Sequence, residues 1–299
     1  MQFKIDRSAP IASGGTSKIY RCHDAIGIRG VCKILQKHSH NKFINEAKWL
    51  RALSFSPKIV KLYETVETDD EYLMFMEWCR GGAVRDYTTQ HGGMYSANTV
   101  ASILRGVLRG LVHVHEAGIV HLDIKPGNVL FTDTSDNAEV KLADFGSAMR
   151  IDDNMTAGAI SGTAWYMSPE LLRSTFSPKA DVWSVGVMAY QLLTGRMPFD
   201  DGTNRVAHIW RKIITEEPIW DGPRWETIPV EALEFVRLCL QKEPEGRPSA
   251  AEALEHPWLA KTNCLDRFTG VPLVMPDYAP ECSIGDAKTY RIPFLTPNP

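Results

Sequence analysis

The sequence predicts an α+β fold in two lobes, a small antiparallel sheet carrying one helix and then a larger, mainly helical body. Up to about residue 79 the apolar residues come in short β-branched runs broken by polar turns, with one stretch of helical spacing among them. Beyond Gly81-Gly82 the spacing turns helical and stays so to about Leu259. From Asp181 to Gly195, DVWSVGVMAYQLLTG is apolar on nearly every face, as a helix sealed inside a large core must be.

Each element follows in order. KIYRCHDA and GVCKIL, joined by the turn-like IGIRG, are expected as adjacent antiparallel strands. NKFINEAKWLRAL repeats Phe43, Ala47 and Leu50 at helical intervals. IVKLYETVETDDEYLMFMEW reads as two more strands meeting at the polar turn Asp69-Asp70. Val100, Ile103, Leu104, Val107, Leu108 and Leu111 line one side of a helix that Ser96 would cap. The last forty residues carry prolines at 272, 276, 280, 293, 297 and 299 and show no period. The expected units are therefore residues 1–79, residues 80–259 and a Pro-rich tail, 260–299.

Composition removes several classes of function. A net charge of -3 argues against a nucleic-acid or membrane-surface binder. The longest apolar run, Val182 to Leu193, is broken by Ser184 and Gln191 and is too short to span a bilayer. MQFKIDRSAPIASGG lacks the continuous apolar centre of a secretory signal. Six cysteines (22, 32, 79, 239, 264 and 282) form no CxxC pair and are expected as free thiols. These features point to an intracellular protein, cytoplasmic or nuclear, and to a monomer.

The chemistry concentrates in IVHLDIKPGNVLF, Ile119 to Phe131, where His121, Asp123, Lys125 and Asn128 stand between apolar flanks. An acid can aim a hydroxyl, an ammonium can offset phosphate charge, and an amide oxygen suits a hard cation. This stretch resembles the catalytic loop of eukaryotic protein kinases. Four more motifs stand in that family's order between Ile11 and Leu259: GVCK, ADFG, GTAWYMSPE and EGRPSAAEALEHPW. Five motifs in order are far more specific than one.

The resemblance implies a two-lobed protein-kinase fold and an ATP- and Mg²⁺-dependent serine/threonine kinase acting on protein substrates. Asp123 would accept or orient the hydroxyl proton, and Lys125 would offset charge on the transferred phosphate. Asn128 and Asp144 would hold Mg²⁺, and Lys33, paired with Glu46, would hold the α- and β-phosphates. Thr163 and Lys125 resemble the serine/threonine type. Glu170 would pair with Arg247, Asp181 would brace the catalytic loop, and His121 would be structural. Ile11, Ile19 and Val31 would cover adenine and Leu130 would lie beneath it. Met76 would be the gatekeeper, with backbone hydrogen bonds from Glu77 and Cys79. Ala12, Ser13, Gly14, Gly15, Thr16 and Ser17 would cover the phosphates.

Three departures carry consequences. The family's phosphate-loop glycines align with Ala12, Gly14 and Ser17, and this alteration supports the alternative of a nucleotide-binding pseudokinase scaffold. Retention of Lys33, Asp123 and Asp144 favours the active enzyme. Leu122 replaces an arginine that clamps a phosphorylated activation segment, and Ala159 stands at the usual phosphoacceptor, so activity is expected without that phosphate. Gly127 and Ala83 replace glutamates, which implies no strong preference for arginine before the target residue. HLDxKP and SPKADVWSVGVMAYQLLTGRMPF look most like the calcium/calmodulin-dependent kinase group, although the sequence holds no EF-hand loop. His113 and His115, beside His121, are expected as a helix end and a loop brace, rather than the three being a metal cluster.

Overall fold

The computed structural model describes residues 3–86, 95–135, 137–153, 163–200, 202–203 and 205–260. The expectations for Ala159 and for tail residues 261–299 lie outside these. Strands β1 (Lys4–Asp6), β2 (Ala12–Ser13), β3 (Ser17–His23), β4 (Arg29–Gln36), β5 (Leu62–Glu67) and β6 (Glu71–Glu77) make one antiparallel sheet. Its order is β1-β3-β4-β6-β5, with β2 paired to β3. β3 and β4 run in register from Ser17↔Leu35 to His23↔Arg29. Asp24 closes their turn by accepting the N–H groups of Ile26 (3.0 Å) and Ile28 (2.7 Å).

Alternation gives this sheet two apolar faces. One carries Cys22, Cys32, Ile34, Leu73 and Phe75. Phe3, just before β1, stacks on Phe75 at 4.7 Å and so seals that face. The other presents Val31, Leu35, Met74 and Met76 to the main core. Helix α1 (His40–Ala52) buries Phe43, Ala47 and Leu50 against it, as their spacing predicts.

In the helical body, α2 (Ala97–Glu116) starts at Ser96, whose hydroxyl accepts the Thr99 N–H at 3.1 Å. Two small strand groups frame the polar loop. β7 (Gly82–Ala83), β9 (Val129–Phe131) and β10 (Val140–Leu142) form one, in the order β10-β9-β7. β8 (Ile119–Val120) pairs with β11 (Met149–Arg150). Past α3 (Pro169–Leu172), helix α4 (Lys179–Thr194) buries every residue except Lys179, Gln191 and Thr194. It ends at Gly195, whose φ of 72° is the left-handed cap that glycine adopts without strain. Helices α5 (Val206–Thr215), α6 (Val230–Cys239), α7 (Ala250–Leu254) and α8 (Pro257–Ala260) complete the body.

Among the described residues no helix is long and apolar enough to cross a membrane. Cys22, Cys32, Cys79 and Cys239 are buried free thiols. Burial pushes Cys22 up to about 11 and Cys79 up to about 12, so neither ionises readily.

Candidate active site

The polar loop is held from below by one carboxylate. Asp181, at the start of α4 and fully buried, accepts the N–H of His121 (2.9 Å) and of Leu122 (2.8 Å). Leu122 has φ 62°, a backbone state that a leucine seldom adopts, and these two bonds hold it there. Burial would raise the Asp181 carboxyl, but the hydrogen bond from His115 (2.9 Å), the electrostatic pull of His115 and His121, and the backbone N–H of His121 together outweigh it and keep the group ionised. His115, in the last turn of α2, thus supports the loop through Asp181, 66 residues away in sequence.

His121 continues the frame. Its Nδ1 accepts the Asp123 N–H at 3.3 Å, so Nε2 carries the proton and donates to the Ala143 carbonyl at 3.1 Å. Its ring lies 4.5 Å from Phe145, which is fully buried. The loop and the Asp144 segment are therefore fixed to each other through one neutral imidazole.

Asp123 is almost sealed and fully hydrogen-bonded. Oδ1 accepts the N–H and the hydroxyl of Thr163, both at 3.0 Å. Oδ2 accepts Asn128 Nδ2 at 2.9 Å and faces Lys125 Nζ at 3.1 Å. Lys125 also donates to the Thr163 hydroxyl at 2.6 Å. Thr163, Asp123 and Lys125 thus form one closed cluster, although Thr163 is 40 residues from Asp123.

Asn128 also donates Nδ2 to the Asp123 carbonyl at 2.8 Å. Both its partners are acceptors, so the amide orientation is fixed and its oxygen remains for a cation. The Asp144 carboxylate is 41% exposed and faces the same cleft. An ionised carboxylate with a spare amide oxygen is the donor set a hard divalent cation requires, so the residues fit magnesium.

Lys33 on β4 reaches Glu46 of α1 at 2.8 and 2.7 Å and Asp144 at 3.1 Å. Helix α1 is latched to the Asp144 segment as well. Asn45 donates to the carbonyls of Gly146 (3.1 Å) and Ala148 (2.9 Å), and Trp49 Nε1 donates to Ala148 at 3.0 Å. The helix that bears Glu46 therefore rests with its carboxylate inward. Burial alone would lower the Lys33 ammonium, but the charges of Asp144 and Glu46 outweigh it and hold it above the ordinary lysine value. Burial would raise the Asp144 carboxyl, yet the charge and hydrogen bond of Lys33, with the charges of Lys42 and Lys125, together hold it well below its ordinary range.

Glu46 behaves differently. Burial pushes it up to about 6 from an ordinary 4.5, against the pull of Lys33. Folded chain then binds this proton more tightly than unfolded chain does. The stabilisation is complete below pH 4.5 and is lost as pH rises through about 6. Wild type is expected to lose thermal stability relative to Glu46→Gln across that window. A melting-temperature difference that stays constant from pH 4.5 to beyond 6 would rule this out.

These groups meet in a cleft of about 270 Å³ between the sheet and the helical body. Its wall includes Ala12 to Ser17, Ile19, Val31, Lys33, Glu46, Met76, Glu77, Asp123, Lys125, Asn128, Leu130, Asp144 and Thr163. Two expected residues are not on it. Ile11 precedes β2 with its N–H bonded to the Ile19 carbonyl, and its side chain is 39% exposed. Cys79 turns its thiol into the core, and its carbonyl accepts the Gly82 N–H at 3.2 Å. The Glu77 carboxylate is held by Lys141 at 2.7 Å.

Lys42, Arg85 and Ser147 line the cleft and were not anticipated. Lys42 stands four residues before Glu46, so helical spacing was the signal that placed both on one face. Arg85 and Ser147 carried no such signal, because packing alone brings them to the wall.

Two lobes, a lysine–glutamate pair across the sheet and a carboxylate loop beneath it define a class. Residues 5–259 match the protein kinase domain family, and the chain belongs to that family. Among its relatives is CDPK-related kinase 5 of Arabidopsis thaliana, 37% identical over 218 residues, which cover 73% of this chain and 36% of that protein. CDPK-related kinase 7 of the same plant is 36% identical over 259 residues, 84% of this chain and 44% of the relative. Calcium/calmodulin-dependent serine/threonine-protein kinase 1 of Oryza sativa subsp. japonica is 34% identical over 217 residues, 73% of this chain and 36% of the relative. The match thus spans less than half the length of each of these relatives.

Proposed function

We propose that this chain is an active protein serine/threonine kinase that transfers the γ-phosphate of ATP, with Mg²⁺, to Ser/Thr hydroxyls of protein substrates. The carrying observation is the closed cluster of Asp123, Lys125 and Thr163 in the same cleft as Lys33 and Asp144. Residues 1–79 would hold nucleotide, and residues 80–259 would hold the substrate and the loop.

Asp123 has its acceptor positions filled: two bonds at Oδ1, and Asn128 and Lys125 at Oδ2. A substrate hydroxyl therefore needs one of these donors to leave. Lys125 is the movable one, since Thr163 and Asn128 are tied to the backbone nearby. Nucleotide binding would draw the ammonium toward the phosphates and open Asp123 to the hydroxyl. Lys33 would hold the phosphates, already positioned by Glu46. Asn128 and Asp144 would hold magnesium, which supplies charge neutralisation on the phosphate oxygens. Transfer of label from γ-labelled ATP to a generic protein substrate tests the proposal, with Asp123→Asn as the control. Equal labelling by both proteins would remove Asp123 from the mechanism.

The proposal includes activity without an activation-segment phosphate. Leu122 is buried and bonded only through its backbone, so that position offers no cation to a phosphate. Protein treated with phosphatase and then freed of it is expected to keep its full rate. A loss on treatment that is restored by rephosphorylation would refute this.

A further inference from the structure

We infer that the groove between α2 and the β9–β10 hairpin is a docking site for an acidic, extended segment of a partner protein. Helix α2 lies very close to β10. A Cβ on Gly106 would come within 2.3 Å of Val140 Cγ2, and one on Gly110 within 2.9 Å of Leu142 Cδ1. With no side chain in between, the helix brings Arg105 and Arg109 to the lip of a cavity of about 210 Å³, with Lys58 also on its wall.

Among the described residues the charges there do not balance. Glu139 is the one carboxylate on that wall among the described residues, and Lys58 already binds it at 2.8 Å. Arg105 and Arg109 remain, one helical turn apart, a spacing at which like charges repel. Arg105 donates to the Leu259 carbonyl and has no carboxylate within ion-pair distance among the described residues. Arg109 is exposed and has no carboxylate within ion-pair distance among the described residues. A sequence that keeps two repelling guanidiniums over a cavity is set up for an anion from outside.

The ligand's shape follows from the surroundings. The row continues one turn further to His113, and Phe55 lies 5.9 Å from that ring while 63% exposed. Anionic side chains over the arginines, followed by one apolar side chain on Phe55, would match this row. The cavity lies at the surface beside the exposed Arg109, so the side chains of a segment laid across it can reach the row. It shares no wall residue with the nucleotide cleft. Strand β9 separates the two, with Leu130 facing the cleft and Phe131 the groove.

The test uses the full chain and a fluorescein-labelled peptide of glutamates, one phosphoserine and a terminal phenylalanine, read by fluorescence polarisation. Saturable binding that weakens with salt is expected. Arg109→Glu should weaken it about tenfold or more, and Arg29→Glu, an exposed charge reversal elsewhere, should leave it unchanged. Phe55→Ala should weaken it a few-fold. Label transfer from ATP to a generic substrate should be the same in Arg109→Glu and wild type, because Arg109 does not line the cleft. The unphosphorylated peptide should bind more weakly with the same variant pattern. Equal binding to wild type and Arg109→Glu, no binding at low salt, or binding of inorganic phosphate alone would overturn the inference.

Discussion

Asp123→Asn is expected to lower the rate of phosphoryl transfer by about 10²- to 10⁴-fold, the range a positioned general base supplies. The substitution is nearly isosteric, so its effect should come from chemistry and hydrogen bonding rather than from volume. A carboxylate offers acceptors on both oxygens, and here both are used. An amide offers only one. If its NH₂ group replaces Oδ1, it faces the N–H and hydroxyl of Thr163; if it replaces Oδ2, it faces Asn128 and Lys125. Either orientation sets donor against donor in a nearly sealed site, at about 1–3 kcal/mol of stability. The variant should therefore melt lower as well as turn over slowly, while nucleotide affinity changes little because Lys33, Glu46 and Asp144 are untouched. Transfer rate, melting temperature and ATP binding measured on one preparation separate these effects. A variant with a normal rate and a lowered melting temperature would make Asp123 a purely structural residue.

The residues of this site differ in how visible they were in the sequence, for physical reasons. His121, Asp123, Lys125 and Asn128 act within one short loop, so spacing along the chain is nearly their spacing in space. Glu46 was legible because helical periodicity fixed its face relative to Phe43 and Leu50, and it does meet Lys33. The pairing of His115 with Asp181 was not legible. Asp181 was expected to brace the loop, but nothing in the sequence joined it to His115, and only the packing of α2 beside α4 brings the two to 2.9 Å. Strand β1 was missed because three residues are too few for alternation to register. The direction of the Cys79 side chain was not legible either, because the path of the turn after it, set by its carbonyl bond to Gly82, decides which way that side chain faces.

The largest expected loss of stability lies away from the cleft, at Arg247. Its side chain is 1% exposed, and every N–H it owns is used. Nε donates to the Gln241 carbonyl at 2.8 Å. Nη1 donates to Glu170 at 2.7 Å and to the Lys179 carbonyl at 2.9 Å. Nη2 donates to Glu170 at 2.7 Å and to the Lys242 carbonyl at 3.0 Å. The guanidinium also lies 5.1 Å from the Trp183 ring. A lysine has three donors in a different geometry and cannot reproduce this fork. Breaking a buried pair from one side leaves an uncompensated charge, at about 3–5 kcal/mol. Arg247→Ala should sit at the upper end, because it strands the Glu170 carboxylate, frees three carbonyls and opens a cavity beside Trp183. Glu170→Ala should cost less, since the guanidinium keeps its three carbonyl partners. In the double variant neither charge remains to be stranded, so its loss should fall short of the two single losses added together. Denaturant unfolding of the four proteins reads this coupling. Strict additivity would show that the carbonyl bonds, and not the ion pair, hold α3 to the segment before α7.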